Sequence, residues 1–379
     1  MGFSTARVLD LTTTLPAFDE AAALAAERSR ALDESGAPPL AELEALANTG
    51  LLSLPFSPSF GGAGLALGEA AARTLPTALR VLGRASLPLG RLYEGHVNAI
   101  RLVETYGSIA QRARMADEAR QGALFGVWAA DENEQGLRIR YADRAFVLEG
   151  RKIYCSGAGL ILRPVVTARD EADRVRMALP RLPQGERLDL SGWTAQGMRA
   201  SVTGTVTFTG LKVHDEDMLG EPRDYHREPD FSGGAWRFAA VQVGGMEALF
   251  MGLREHLLRA GRGGDPHQSA RVAESAIAVE TARLWVERAA ALFERREADD
   301  ASLVGYVSLA RSAVERAALD LIERVQRSVG LRAFLRPDPI ERIARDLATY
   351  LRQPGPDRAL ANGDQWVLSD GGAVFAKRQ

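Results

Sequence analysis

Twice along this chain the spacing of apolar residues changes period, and that double change constrains the fold more than any other feature. From Phe18 to about Arg120, apolar residues recur at helical spacing in alanine-rich segments. From Gly122 to about Gly220 the helical period is gone. Short runs such as ALFGVWAA, RAFVLEG, RPVVTA and GTVTFTGLKV, separated by Gly, Asp and Pro clusters, predict strands of a small antiparallel barrel or sandwich. From Gly234 to Tyr350 helical spacing returns in longer segments. Val307, Ala310, Val314, Ala317, Leu321 and Val325 form one apolar stripe that only packing against other helices can bury. The chain therefore reads as an α+β multidomain protein: an N-terminal helical domain over residues 1–121, a middle β domain over 122–229 and a C-terminal helical bundle over 230–379.

Punctuation supports the helices. AFDEAAALAAERSRALDESG is expected to end at Gly36 and LAELEALANTG at Gly50, where a left-handed C-cap favours glycine. A further helical stretch is expected over His96–Ala119, and DPHQ reads as a helix start with Asp265 as cap and Pro266 in the first turn. The formal net charge of -2, with acidic and basic residues interspersed, argues against nucleic acid as a partner. No uncharged apolar run reaches the roughly 20 residues of a membrane span, and the N-terminus lacks the pattern of a signal peptide. A cytoplasmic location is the expectation. The single cysteine, Cys155, rules out an intrachain disulfide and a multi-thiolate metal site. No metal site is expected.

Six segments, in order, carry a resemblance to the acyl-CoA dehydrogenase superfamily. They are LEALANTGLLSLPFSPSFGGAGL, LEGRKIYCSGAG, GMRASVTGTVTFTGLKVHDEDMLGEP, QSARVAESAIAVETARLWVERAA, VQRSVG and IERIARDLATY. The resemblance covers nearly the whole chain. It implies that the C-terminal region is a four-helix bundle, that the cofactor is FAD and that the protein is an oxidoreductase acting on an acyl thioester or related small molecule. It also implies a homodimer or homotetramer and an electron-transfer flavoprotein or flavin reductase as partner. Carried over residue by residue, it places Tyr154 and Ser156 beside the flavin ring, and Gln326 and Gly330 at the adenosine half. Arg271 takes the place of a further cofactor contact, and Trp128 and Ala130 lie on the loop passing the flavin. A flat ring can cover a flavin face and a hydroxyl can bond its polar edge.

The family pattern is broken at the base. Its usual glutamate position falls at about Pro354, and the alternative position of some members at Trp236. Neither residue can accept an α-proton. Asp357 and Glu247 stand a few positions away, but a shifted residue on a helix points elsewhere. The missing base opens a second reading, a flavin-dependent monooxygenase or oxidase of the dibenzothiophene-desulfurisation type using a C4a-hydroperoxide, in which His96 is the candidate catalytic residue. A lone histidine in a helical bundle also serves as a hydrogen-bonded core residue. A third reading is a non-catalytic flavin-binding or assembly module.

Overall fold

The structure, a computed structural model, describes residues 11–132, 136–142, 144–353 and 355–371. Five helices lead the chain: α1 (Leu11–Ser35), α2 (Leu40–Asn48), α3 (Gly68–Ala85), α4 (Leu87–Tyr106) and α5 (Ile109–Arg120). Gly36 at φ +70° and Gly50 at φ +78° take the left-handed conformation that closes α1 and α2. The stretch expected over His96–Ala119 is two helices, broken at Gly107. Ser108 and Gln111 restart it with a capping box, Gln111 N donating to Ser108 Oγ at 3.2 Å and Ser108 N to Gln111 Oε1 at 2.8 Å.

The middle region contains β1 (Phe125–Trp128), β2 (Arg138–Ala142), β3 (Ala145–Glu149), β4 (Arg151–Cys155) and β5 (Arg163–Arg169). After them come β6 (Val175–Ala178), β7 (Leu188–Asp189), β8 (Gly204–Thr207), β9 (Leu211–Val213) and β10 (Met218–Leu219). One sheet runs β10-β6-β5-β2-β3-β9 with β1 also on β5, and a second runs β4-β8-β7. Most neighbours are antiparallel as expected. The exceptions both involve β5: β1 pairs with it in parallel from Phe125↔Arg163 to Trp128↔Val166, and β2 meets it in parallel at Arg138↔Arg169. On β4 the register jumps from Lys152↔Val206 to Cys155↔Gly204, so three steps oppose two. That is a bulge, and it re-aims the side chains on either side of it.

The chain then returns to helix: α6 (Asp230–Gly233), α7 (Trp236–Arg259), α8 (Pro266–Arg295), α9 (Asp300–Val329), α10 (Pro339–Tyr350) and α11 (Pro356–Trp366). Asp265 caps α8 as expected, accepting from His267 N at 2.9 Å and Gln268 N at 3.1 Å. On α9, Val307, Ala310, Val314, Leu321 and Val325 are buried and Ala317 half-buried. Helices α3 and α7 cross backbone to backbone: a Cβ on Gly83 would lie 2.2 Å from the Val241 carbonyl oxygen, and one on Gly244 would lie 2.2 Å from that of Arg80. Glycine at both positions lets the N-terminal and C-terminal helices share one core. The Phe18 and Tyr93 rings meet edge-on in it at 5.2 Å, each ring fully buried and worth roughly 1.5–3 kcal/mol. No described helix is long and apolar enough to cross a membrane.

Candidate active site

A cavity of about 1180 Å³ opens where the sheets, α4, α9, α10 and the α6–α7 junction converge. One wall comes from the middle region. Tyr154, at φ +53°, follows Lys152 through the bulge, so Lys152 is fully buried while the Tyr154 ring is 63% exposed and lines the cavity. A tyrosine held in the left-handed region costs on the order of 1–2 kcal/mol. Exposing a large ring there has no packing benefit within the chain. Trp193 stands edge-on to it, ring centres 6.5 Å apart, and lines the same cavity. Nothing in the sequence beyond an aromatic shortly before the Gly-Met-Arg turn pointed to Trp193.

Beside these rings run Val127, Trp128, Ala129 and Ala130. Trp128 Nε1 donates to the Ser156 carbonyl at 3.0 Å, and Ile153 N to the Ala130 carbonyl at 3.1 Å, which ties this loop to β4. Below it, Lys152 Nζ contacts Asp131 Oδ1 at 2.5 Å and Thr167 Oγ1 at 3.1 Å. Burial pulls the Lys152 pKa down, while Asp131 pulls it back toward the charged form. The opposite wall is helical and basic. The lining contains the six arginines Arg91, Arg237, Arg311, Arg345, Arg352 and Arg358, against three carboxylates.

Each of those carboxylates is already engaged. Glu94 meets Arg91 at 2.7 Å, Asp230 meets Arg101 at 3.0 Å and Arg296, and Glu341 meets Arg345 at 2.7 Å. Among the described residues, the wall therefore has no carboxylate without an arginine on it. Trp236 is fully buried at the start of α7, as its side chain requires. Glu247 pairs with Arg80 at 3.0 Å and Asp357 is exposed, and neither lines the cavity. Pro354 lies outside the described residues.

Of the residues expected at the cofactor, the cavity brings together Trp128, Ala130, Tyr154 and Gln326. Ser156, Arg271 and Gly330 are not on its wall. The Ser156 hydroxyl is turned inward and accepts from Thr203 Oγ1 at 3.3 Å, because the bulge sends Tyr154 and not Ser156 outward. Arg271 is half-buried on the second turn of α8. Gly330 ends α9 at φ +74°, its N–H bonded to the Gln326 carbonyl, so a glycine is needed there by the backbone alone.

His96, the candidate catalytic residue, is placed away from the cavity wall. It is fully buried on α4, its Nε2 bonded to the Leu52 carbonyl at 2.7 Å and its Nδ1 accepting from Phe125 N at 3.0 Å. Burial pushes its pKa down to about 4. A neutral imidazole with both nitrogens committed to backbone is a structural pin. Cys155 is buried as well, its thiol pushed up to about 12 by burial, which keeps it an unreactive core residue. Among the described residues no cluster of His, Cys, Asp or Glu suits a metal ion.

The comparisons with known proteins follow the same lines. Residues 240–352 match the family model for the acyl-CoA dehydrogenase C-terminal domain. A probable FMNH2-dependent monooxygenase, SfnC, from Pseudomonas putida is 23% identical over 364 residues, covering 89% of this chain and 90% of its own. The structure of TdsC from Paenibacillus sp. A11-2 in complex with FMN and indole superposes with a TM-score of 0.81 at 22% identity, over 93% of this chain and 96% of that one. Butyryl-CoA dehydrogenase from Megasphaera elsdenii superposes with a TM-score of 0.82 at 18% identity, over 95% and 99%. The helical–β–helical fold is common to this chain and those two structures.

Proposed function

We propose that this chain, similar to the acyl-CoA dehydrogenase family over residues 240–352 and with no free carboxylate on its cavity wall among the described residues, is a flavin-dependent monooxygenase acting on a small organic molecule. The single observation that carries the reading is the arginine on each of the three wall carboxylates. Dehydrogenation of an acyl thioester begins with removal of an α-proton, and that step needs a basic atom free to approach the C–H. Oxygen insertion has no such requirement. Similarity to the P. putida monooxygenase over almost the whole chain points the same way.

The residues present fit a flavin. The exposed Tyr154 ring and Trp193 offer flat apolar surface for the isoalloxazine, and the Ala129–Ala130 backbone passes at its edge. Arg311 and Arg358, which make no ion pair among the described residues, add positive charge to the wall suited to a flavin phosphate, while Gln326 adds a neutral amide. A mononucleotide delivered in reduced form by a separate reductase, in place of the FAD expected from the resemblance, is the reading supported by the FMNH2-dependent relative and the FMN-bound structure. When bound, reduced flavin supplies the two electrons that let one atom of dioxygen enter the substrate while the other leaves as water. The chain's own part is to hold the ring against Tyr154 and Trp193 and to exclude bulk water with Trp128, Tyr225, Phe231 and Phe238. The Lys152–Asp131 pair keeps the Ala129–Ala130 backbone in register beneath them.

The test has two arms. Purified protein is supplied with FMN, a flavin reductase, NADH and isotopically heavy dioxygen, with a panel of sulfur- and nitrogen-containing small molecules. The expected result is a product carrying one heavy oxygen atom. In parallel, anaerobic protein holding oxidised flavin is mixed with acyl-CoAs of different lengths. Bleaching of the flavin by any of them would sink the monooxygenase reading, and failure to bind either FMN or FAD would return the chain to a non-catalytic role.

A further inference from the structure

Arg237, in the first turn of α7, is 2% exposed yet lines the cavity. Its Nη2 donates to Asn98 Oδ1 at 2.7 Å, and its Nε and Nη1 make no hydrogen bond. The nearest carboxylate oxygen, Glu294 Oε1, stands 3.9 Å from Nη1 and is already held by Arg101 Nη1 at 2.9 Å. The Nη2 end of the guanidinium lies against two cavity-lining residues, Asn98 and Gly234. A Cβ on Gly234 would fall 2.4 Å from Arg237 Nη2, so glycine is what leaves the arginine its place. Tyr106, also on the wall, has a hydroxyl with no hydrogen-bond partner, and it feels the same Asp230 and Arg101 charges that Arg237 does.

Charge around this end of the cavity does not balance. Arg91, Arg101, Arg237 and Arg296 face Glu94, Asp230 and Glu294, four guanidinium groups against three carboxylates. The surplus falls on Arg237, the one arginine of the four without a carboxylate within 3.5 Å. A buried guanidinium with two idle nitrogens is costly, and such a group calls for a partner from outside the chain, whether a ligand, an ion or a water. Nε–H and Nη1–H point to different edges of the guanidinium, so an oxyanion would take one of them together with the second hydrogen of Nη2, in one of the two forks an arginine offers.

We propose that Arg237, with Asn98 and Tyr106 beside it, binds a negatively charged oxyanion group on the substrate, so that the molecule oxidised is a small organic acid anion and not a neutral aromatic. The inference rests on the monooxygenase reading for the identity of the site as the substrate cavity. It assigns the end near α4 and α7 to the substrate's charged head, leaving its oxidisable part toward Tyr154.

The test is calorimetric and needs no turnover. Methanesulfinate and its neutral analogue dimethyl sulfoxide, and benzoate with benzamide, are titrated into protein holding oxidised FMN and into protein without it. The anion of each pair is expected to bind at least about tenfold more tightly than the neutral partner, the difference a charge-assisted pair supplies. Arg237→Gln is expected to abolish that preference and Arg237→Lys to keep part of it. Asn98→Asp is the second variant: it places a carboxylate within reach of Nη2, completes the ion pair internally, and is expected to raise the melting temperature while removing anion binding. Equal binding of anion and neutral analogue by the natural protein would overturn the proposal, as would undiminished anion binding by Asn98→Asp. Flavin retention, followed by fluorescence in the same samples, separates the two readings. Flavin bound without anion preference refutes this inference alone, and anion preference without flavin binding refutes the monooxygenase reading alone.

Discussion

Two buried groups act on the pH dependence of stability in opposite directions, and one substitution separates them. His96 is neutral in the fold, its pKa pushed from 6.5 down to about 4 by burial, with the Leu52 carbonyl acting weakly the other way. A folded value below the unfolded one means that its contribution is present above about pH 6.5 and is lost as pH falls toward 4. The unfolded chain takes up a proton over that range and the folded one does not. At about 1.4 kcal/mol per unit, the loss between pH 6.5 and 4 is about 3 kcal/mol. Asp346, 2% exposed, is raised from 3.8 to about 6 by burial, against the Met198 N–H and Arg342. Its contribution is present below about pH 3.8 and is lost as pH rises through 6, again about 3 kcal/mol. Acidification from pH 6 to 4 therefore relieves Asp346 while it loads His96, and the two nearly cancel.

His96→Gln removes one side of this balance. The amide keeps a donor toward the Leu52 carbonyl but leaves the Phe125 N–H without its acceptor, which costs about 1–3 kcal/mol at neutral pH. Urea unfolding followed by circular dichroism at pH 7.5 and pH 4.5 measures the outcome. The natural protein is expected to lead by about 1–3 kcal/mol at pH 7.5, and that lead is expected to shrink by about 3 kcal/mol at pH 4.5, vanishing or reversing. A gap of the same size at both values would show that His96 titrates normally in the fold, and the assignment of both ring nitrogens to backbone partners would fail with it.

Two further substitutions test the construction of the cavity. Gly197→Ala would place a Cβ 2.2 Å from the Arg345 carbonyl oxygen, a backbone contact that cannot swing away, and is expected to lower stability by about 1–3 kcal/mol or more; an unchanged melting temperature would refute that packing. Tyr154→Ala removes an exposed ring that packs on little besides Trp193, so it is expected to weaken FMN binding roughly tenfold in fluorescence titrations while stability holds or rises; unaltered FMN affinity would take Tyr154 out of the site.

Much of the local structure was legible because it depends on neighbours in sequence. Gly36 and Gly50 as helix ends, Asp265 as a cap and the α9 stripe follow from backbone sterics and side-chain period, and each stands in the fold where the pattern put it. The Ser108–Gln111 box was equally present as Ser-x-x-Gln, although the reading ran helix straight through it. Tyr154 was legible as an aromatic on a strand beside the site. That it and not Ser156 faces the cavity depends on a bulge, which one strand forms only against its partner β8.

The charged residues divide most sharply between the two levels. The sequence alone determined that neither familiar base position holds a carboxylate, because Trp236 cannot accept a proton wherever it lies. Glu94 with Arg91 and Glu341 with Arg345 are likewise neighbours on one helix face, three and four residues apart. Only the tertiary structure decided that Asp230 comes to rest on Arg101 and Arg296, that His96 is held by Leu52 and Phe125, and that Arg237 is left with two unbonded nitrogens. Those outcomes join residues from α4, α6, α7, β1, the turn after α2 and the end of α8. A charge interacts with whatever is near it in space, and in a chain with 47 Lys and Arg against 49 Asp and Glu, sequence spacing cannot say which partner that is.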